Sequence, residues 1–337
     1  MITRRQALRH LAAASAAATV SPWLTRLMAE ESGPGRPPPD RLGPRLPERE
    51  LGQTGLRVSM LTVGGSHVGR PSEAEAERII ETAIESGIRT FETAQLYQNG
   101  RSEERYGRFL TPKYREHVLI FTKTMARDAR TARSHLEGSL RRMKLDVIDL
   151  WQMHDINSPE DVDARLQGGV LDVMQKAKAE GKVRHIGFTG HATWRAHAHL
   201  LAQTDVFETC LMPINVVDPF YESYIENILP RLVERRMGVQ AMKTLAAGDF
   251  LRGRGGLAPI IPDLVSIEDA LRFVWSLPVS TLVSGMAQAA HVRENAGYAA
   301  NFRPMPEAER RALAERVEEP ARTGRLEGNF KVQGVGQ

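Results

Sequence analysis

Short apolar runs alternate, after residue 50, with longer segments whose apolar residues recur at three- and four-residue spacing. A short apolar run rich in β-branched residues predicts a buried strand, and the recurring spacing predicts an amphipathic helix. The eight predicted strands are residues 60–63, 88–91, 118–121, 147–150, 183–188, 210–214, 239–242 and 281–283. The eight predicted helices are residues 72–86, 102–110, 131–143, 169–180, 193–203, 222–236, 267–276 and 291–300.

Regular alternation of strands and helices predicts parallel strands, because two parallel neighbours need a long crossover between them. Eight such units favour a closed barrel over an open doubly wound sheet. An open dinucleotide-binding sheet would require G-x-G-x-x-G after its first strand, and residues 64–69 read GGSHVG instead. The predicted fold class is therefore α/β, a (β/α)8 TIM barrel.

The amino terminus has the composition of a targeting signal. Arg4 and Arg5 precede an uncharged, alanine-rich run at residues 11–25, which is shorter than the about 20 residues of a membrane-spanning helix. This pattern predicts a disordered signal peptide over residues 1–29. The run TRRQALR resembles the twin-arginine export signal of bacteria, and the resemblance implies a twin-arginine export machinery as partner and a periplasmic or otherwise exported protein.

The charge balance argues against a nucleic-acid partner. The formal net charge is +4, but four arginines lie within residues 1–29, and 41 basic and 41 acidic residues remain beyond them. Residues 30–48 are rich in proline, which predicts an extended linker. The barrel is expected to cover residues 49–304, followed by a C-terminal helix and tail at residues 305–337. No permanent membrane span is expected.

Chemically capable side chains stand at the carboxyl ends of three consecutive predicted strands. Glu92 ends the second strand and Tyr97 follows it, Lys123 ends the third, and His154 follows the fourth. In a barrel of this kind the carboxyl ends of the strands meet at one mouth, so these side chains are expected to converge. Each alone is compatible with a salt bridge or a rim residue, and their joint placement indicates a site.

This combination suits the reduction of a carbonyl group. A nearby ammonium favours the phenolate form, so Lys123 is expected to lower the pKa of Tyr97, and Glu92 to hold Lys123 charged. Tyr97 would then donate a proton to a carbonyl oxygen that receives hydride, while His154 hydrogen-bonds the same oxygen.

The same residues resemble the aldo-keto reductase family over about residues 50–300. The matching runs, in order, are TFETAQLY, FTKT, DLWQMH, GKVRHIGFTGH and VREN. The resemblance implies Tyr97 as general acid, Lys123 as the residue that adjusts its pKa, and His154 as the residue that orients the carbonyl. Glu92 stands where the family has aspartate.

The resemblance also implies a nicotinamide cofactor, with NADP(H) favoured over NAD(H). Because free NAD(P)H is not expected outside the cytoplasm, an exported protein is expected to retain this cofactor tightly. The cofactor-binding residues it implies are Thr189, Asn215, Lys243, Gly285, Glu294 and Asn295. His191 and Trp151 are assigned to the substrate pocket, which would take a small carbonyl compound or a sugar. No metal site is expected, because the histidines near residue 191 lack the spacing of metal ligands.

The predicted function is that of an exported NAD(P)-dependent oxidoreductase that interconverts a carbonyl and an alcohol. Two alternatives stay open on the sequence alone. One is a nucleotide-binding sensor or docking barrel with little turnover, and the other is a nonredox lyase or isomerase that uses the same acid.

Overall fold

Eight parallel strands close into a barrel in a computed structural model, which describes residues 34–331. Strand order around the barrel follows the chain, and the last strand pairs with the first. All eight predicted strands are confirmed, and so is the (β/α)8 barrel. A two-stranded hairpin precedes the barrel, formed by β1 (Glu48–Glu50) and β2 (Arg57–Ser59). The barrel strands are β3 (Leu61–Gly64), β4 (Thr90–Glu92), β5 (Leu119–Thr124), β6 (Ile148–Met153), β7 (Val183–Thr189), β8 (Thr209–Pro213), β9 (Gly238–Met242) and β10 (Thr281–Ser284).

Helices surround the barrel and pack their apolar faces against the outward side chains of the strands. They are α1 (Glu73–Glu85), α2 (Arg101–Arg105), α3 (Thr111–Tyr114), α4 (Ala129–Met143), α5 (Pro159–Gln167), α6 (Val170–Ala179), α7 (Trp194–Gln203), α8 (Tyr224–Asn227), α9 (Leu229–Glu234), α10 (Asp249–Arg252), α11 (Ile267–Trp275), α12 (Ala289–Ala300), α13 (Glu307–Glu315) and α14 (Glu318–Ala321). A π-helical turn, Tyr106–Leu110, continues α2.

One predicted helix needs correction, and one helix was missed. The segment 222–236 is two short helices, α8 and α9, because Pro230 has no N–H to continue the helical hydrogen bonds. Helix α5 was not predicted at all. Its signal is present in the sequence, since the Ser158 hydroxyl caps the backbone N–H of Asp161 at 3.1 Å and Pro159 occupies the first turn.

The amino end of the barrel is filled by the hairpin. Leu51 and Val58 pack there against Phe121 and Leu150, which point into the barrel from β5 and β6. Side chains alternate between the two faces of a strand, so Lys123, two residues after Phe121, also points inward. The opposite, carboxyl end of the barrel therefore carries the inward-facing polar groups.

The proline-rich segment does not stay apart from the barrel along its whole length. Asp40 forms an ion pair with the buried Arg89 at 2.8 Å, and Leu46 is only 2% exposed. Residues 40–47 therefore lie against the barrel, because this salt bridge and buried leucine hold them there. The predicted signal peptide, residues 1–29, lies outside the described residues. Between residues 34 and 331, no helix has the length and apolar character needed to cross a lipid bilayer.

Candidate active site

Glu92, Lys123 and Tyr97 meet at the carboxyl end of the barrel. Glu92 is the last residue of β4 and Lys123 lies on the neighbouring strand β5, and both side chains are almost completely buried. The Lys123 ammonium contacts the Glu92 carboxylate and donates hydrogen bonds to the Thr93 carbonyl at 2.9 Å and the Tyr97 hydroxyl at 3.0 Å. The structure thus brings together the carboxylate, ammonium and phenol predicted from the sequence.

His154 completes this group from the end of β6. Its ring lies edge-on to the ring of Tyr97, with 5.9 Å between centroids and 85° between planes. The side chain is buried, and its Nδ1 has no hydrogen-bond partner among the described residues. Arg165 holds the backbone of His154 by donating to its carbonyl oxygen at 3.0 Å. His154 is therefore fixed beside Tyr97, and its Nδ1 makes no hydrogen bond within the described part of the chain.

Burial controls the proton affinities of this site. Burial raises the pKa of Tyr97 above its usual range, and the negative charge of Asp155 raises it further. Burial also lowers the pKa of Lys123 and of His154 well below their ordinary values. The pKa of Tyr97 is therefore raised in this geometry, because the phenol is buried, and is not lowered as expected from the neighbouring Lys123. Tyr97 is a neutral phenol and His154 a neutral imidazole at neutral pH.

Trp151 does not line the site. It lies on β6 between Leu150 and Gln152, whose side chains point inward, so the side chain of Trp151 points outward. There it is fully buried in the layer between the barrel and the helices. Its assignment to the substrate pocket needs correction for this reason. Gln152, one residue later, is the inward-facing side chain and accepts a hydrogen bond from Gln240 at 3.0 Å.

Thr189 and Asn215, two of the residues predicted to bind the nicotinamide cofactor, differ in availability. Thr189 ends β7 at the mouth, where its hydroxyl accepts a hydrogen bond from the backbone N–H of Asp155 at 3.3 Å. Its own hydroxyl hydrogen can still be donated. The side-chain amide of Asn215, in contrast, donates to Glu327 at 2.7 Å and accepts from the backbone of Val217 at 2.9 Å. Asn215 is completely buried, so the structure does not offer it as a cofactor ligand.

Basic side chains gather where β9 and β10 end. Lys243 directly follows β9, and Gly285 follows β10, with the ring of His67 so close that a Cβ at this glycine would lie 2.3 Å from it. Burial lowers the pKa of His67, and the positive charges of Arg70, Lys243 and His291 lower it further. Such a cluster fits the phosphates of a dinucleotide, which favour positive charge and close backbone approach. His67 and Arg70 were not predicted from the sequence.

Glu294 and Asn295 lie on α12, away from the carboxylate–ammonium–phenol group. Glu294 is exposed and accepts a hydrogen bond from the Tyr298 hydroxyl at 2.9 Å. Asn295 donates to the Ser284 hydroxyl at 3.1 Å, so it is tied to the end of β10. Their predicted role in cofactor binding stays a prediction.

His191 lies at the mouth, following β7. Its Nε2 is 3.2 Å from a carboxylate oxygen of Asp155, and its Nδ1 is 3.3 Å from the carbonyl oxygen of Phe330. Asp155 and Phe330 were missed by sequence reasoning. Asp155 directly follows His154 and could have been found from that position, but Phe330 reaches the mouth only through the tertiary path of the C-terminal segment.

The other histidines of this region do not converge on His191. His197 is buried between aromatic rings, and burial lowers its pKa to about 3. His199 pairs with Asp163 at 2.7 Å, and His185 pairs with Glu208 at the same distance. In residues 34–331, no three histidine, cysteine or acidic side chains are grouped so that they could hold a metal ion.

Comparison with known proteins places this site in a family. The sequence model of the aldo/keto reductase family matches residues 60–255, more than half of the chain. L-galactose dehydrogenase of Arabidopsis thaliana is 28% identical over 287 residues, which cover 73% of this chain and 86% of that protein. The chain belongs to the aldo/keto reductase family and is an NAD(P)H-dependent oxidoreductase.

Solved structures show the same fold. The holo form of aldo-keto reductase AKR11C1 from Bacillus halodurans superimposes with a TM-score of 0.70 at 22% identity, covering 81% of this chain and 96% of that one. An aldo-keto reductase from Klebsiella pneumoniae in complex with NADPH gives a TM-score of 0.66 at 21% identity, covering 79% and 94%. At these identities the likeness concerns the fold.

Proposed function

We propose that this protein reduces the carbonyl group of a small aldehyde, ketone or sugar, and catalyses the reverse oxidation, with Tyr97 as the general acid and base. The observation that carries the proposal is the contact of the Tyr97 hydroxyl with the Lys123 ammonium at 3.0 Å, at the barrel end where β4, β5 and β6 place Glu92 and His154. Of the chemistry open to a buried phenol beside an ammonium, proton donation to a developing alkoxide suits this family.

The side chains act in sequence on the carbonyl oxygen. The Tyr97 hydroxyl and a neutral His154 N–H donate hydrogen bonds to that oxygen and polarise the carbonyl. A dihydronicotinamide held by residues such as Thr189 and Lys243 would supply the hydride that the carbonyl carbon receives. The proton of Tyr97 then passes to the oxygen, which gives the alcohol, and the Lys123 ammonium stabilises the phenolate left behind. Glu92 balances the charge of Lys123 throughout.

The cofactor is proposed to be NADP(H) in preference to NAD(H). The phosphates would be held at the ends of β9 and β10 by Lys243, Arg70 and His291. The extra phosphate of NADP carries negative charge, which this cluster of positive charges attracts. Thr189 would bind the carboxamide from the end of β7. A solved relative of the same fold contains NADPH, which supports this choice.

The substrate is proposed to be a small carbonyl compound. An assay of nicotinamide absorbance, with NADPH or NADH and a panel of short aldehydes and sugars, tests the proposal. Aldehyde-dependent loss of absorbance, faster with NADPH, is expected. Turnover of these compounds without any change in absorbance would instead indicate a nonredox lyase or isomerase.

Residues 1–29 are proposed to direct the folded protein out of the cytoplasm by the twin-arginine route, with its nucleotide already bound. The paired Arg4 and Arg5 before an uncharged run support this proposal. Replacing Arg4 and Arg5 by lysine should retain the protein in the cytoplasm of a bacterial host, as measured by fractionation. Mass analysis of nucleotide released from the exported wild-type protein should detect NADP, and exported protein without nucleotide would contradict retention.

A further inference from the structure

Asp155 and His191 form a polar pair beside the proposed catalytic residues. They follow the neighbouring strands β6 and β7, whose ends lie side by side at the mouth. Asp155 Oδ1 and His191 Nε2 are 3.2 Å apart, and the two side chains are 25% and 27% exposed. The pair is therefore neither sealed in the core nor free in solvent, and Asp155 is the residue next to His154 in the chain.

The backbone of Asp155 is held in an uncommon conformation. Its φ of 61° lies in the left-handed region, which aspartate tolerates better than most residues with a side chain. The hydrogen bond from its N–H to the Thr189 hydroxyl keeps it there. Backbone strain that the surroundings maintain is concentrated at functional sites. The conformation turns the Asp155 side chain toward His191 and the mouth.

One oxygen of the Asp155 carboxylate remains available to a ligand. Oδ1 is buried against the ring of His191, and that ring is also held by the Phe330 carbonyl oxygen. The Asp155 side chain is 25% exposed and its carboxylate has a second acceptor oxygen, Oδ2, which can accept a hydrogen bond from a ligand. The carboxylate also lies near the proposed catalytic group, because its negative charge raises the pKa of Tyr97, Lys123 and Lys243.

We propose that Asp155, braced by His191, accepts a hydrogen bond from a hydroxyl group of the substrate close to the reacting carbonyl. The favoured substrates are then hydroxylated aldehydes and sugars rather than simple aldehydes. This inference rests on the proposed carbonyl reduction and specifies its substrate class. A site with a buried acceptor discriminates against an analogue that lacks the donor, because the acceptor then loses water and gains no partner.

The test compares D-glyceraldehyde with propanal, which has the same chain length and no hydroxyl groups. The quantity measured is kcat/KM for D-glyceraldehyde divided by kcat/KM for propanal, in the wild-type protein and in Asp155→Asn. Differences in intrinsic reactivity and hydration of the aldehydes cancel when the two proteins are compared. Asparagine also tolerates a positive φ, so the backbone is kept. The ratio is expected to fall about tenfold or more in Asp155→Asn.

A second variant and a matched control complete the test. His191→Gln should lower the ratio as well, by a smaller factor and chiefly through KM for glyceraldehyde, because the bracing of Asp155 is weakened. Asp163→Asn removes the carboxylate of the similar Asp163–His199 pair on α5 and α7 and should leave the ratio unchanged.

An unchanged ratio in Asp155→Asn would overturn the inference, and so would an unchanged ratio in His191→Gln if the first variant does not fold. Either result would leave the proposed carbonyl reduction standing, provided that the wild-type protein reduces both aldehydes. Failure of the wild-type protein to reduce either aldehyde would contradict the proposed reduction and this inference with it.

Discussion

At the residue scale, two polar contacts connect Glu92, Lys123 and Tyr97 in a place with little access for water. Low exposure has opposite effects on the pKa values of Tyr97 and Lys123. It raises the pKa of the Tyr97 phenol and lowers that of the Lys123 ammonium, so burial alone would leave both groups neutral. The Glu92 carboxylate favours the charged form of Lys123, which is the form that stabilises a phenolate. Proton transfer at this site therefore depends on the Glu92 carboxylate as well as on the Tyr97 phenol.

This dependence predicts the effect of Glu92→Gln. Removing one partner of a buried ion pair leaves the other without compensation, which costs about 3 kcal/mol or more in the free energy of unfolding. Urea unfolding of the variant measures this loss, and the rate of carbonyl reduction should fall as well. Glu73→Gln is the matched control, because Glu73 and Arg108 form a pair whose side chains are 59% and 62% exposed. That change should cost less than about 1 kcal/mol. Equal losses in both variants would contradict the buried role of Glu92.

At the scale of elements, strand ends position the chemistry and helix caps fix where the helices begin. Glu92, Lys123 and His154 could be predicted because a strand end in a closed parallel barrel has only one direction in which to present its last inward side chain. Trp151 was misplaced because neighbouring residues of a strand face opposite sides, so an error of one position moves a side chain from the site to the outer layer.

Helix α5 offers a prediction at this scale. Ser158→Ala removes the hydroxyl that caps the N–H of Asp161, and should lower the free energy of unfolding by about 1 kcal/mol. Ser158→Thr keeps a hydroxyl acceptor and should preserve most of the stability. Thermal or urea unfolding of both variants measures the difference. An alanine variant as stable as wild type would show that the cap contributes nothing.

At the scale of the whole molecule, the C-terminal segment, residues 318–331, returns to the barrel mouth. Phe330 contacts His191, and Lys331 is fully buried in ion pairs with Asp218 and Glu327. Sequence patterns did not indicate this return, because the contacts of Glu327 with Asn215 and of Lys331 with Asp218 join residues more than 100 positions apart. For this part of the chain, the sequence predicted only a C-terminal helix and tail, and the helix corresponds to α13.

This buried cluster predicts a pH dependence of stability. Burial raises the pKa of Glu327 to about 7, against the attraction of Lys331 and with the help of the Asp218 charge. Asn215 and the ring of Tyr224 complete its surroundings. The folded state thus binds the Glu327 proton more tightly than the unfolded chain does, so its contribution to stability is complete below the ordinary pKa of 4.5 and is lost as pH rises through about 7.

Urea-unfolding midpoints measured on both sides of this pH window test the prediction. The wild-type midpoint should decrease as the pH rises through the window, and Glu327→Gln should show a smaller decrease because glutamine does not titrate. Arg311→Gln, which alters an exposed pair with Glu307 on α13, serves as a control that should keep the wild-type pH dependence. Identical pH profiles for wild type and Glu327→Gln would contradict the assignment.

The central claim is that Tyr97 supplies the proton during carbonyl reduction. Single-turnover hydride transfer, followed by nicotinamide absorbance in wild type and Tyr97→Phe, tests it most directly, with NADPH affinity measured in parallel to show that the variant is intact. Loss of the hydroxyl should slow hydride transfer by about 100-fold or more while NADPH still binds. A Tyr97→Phe protein that transfers hydride as fast as wild type would contradict the account.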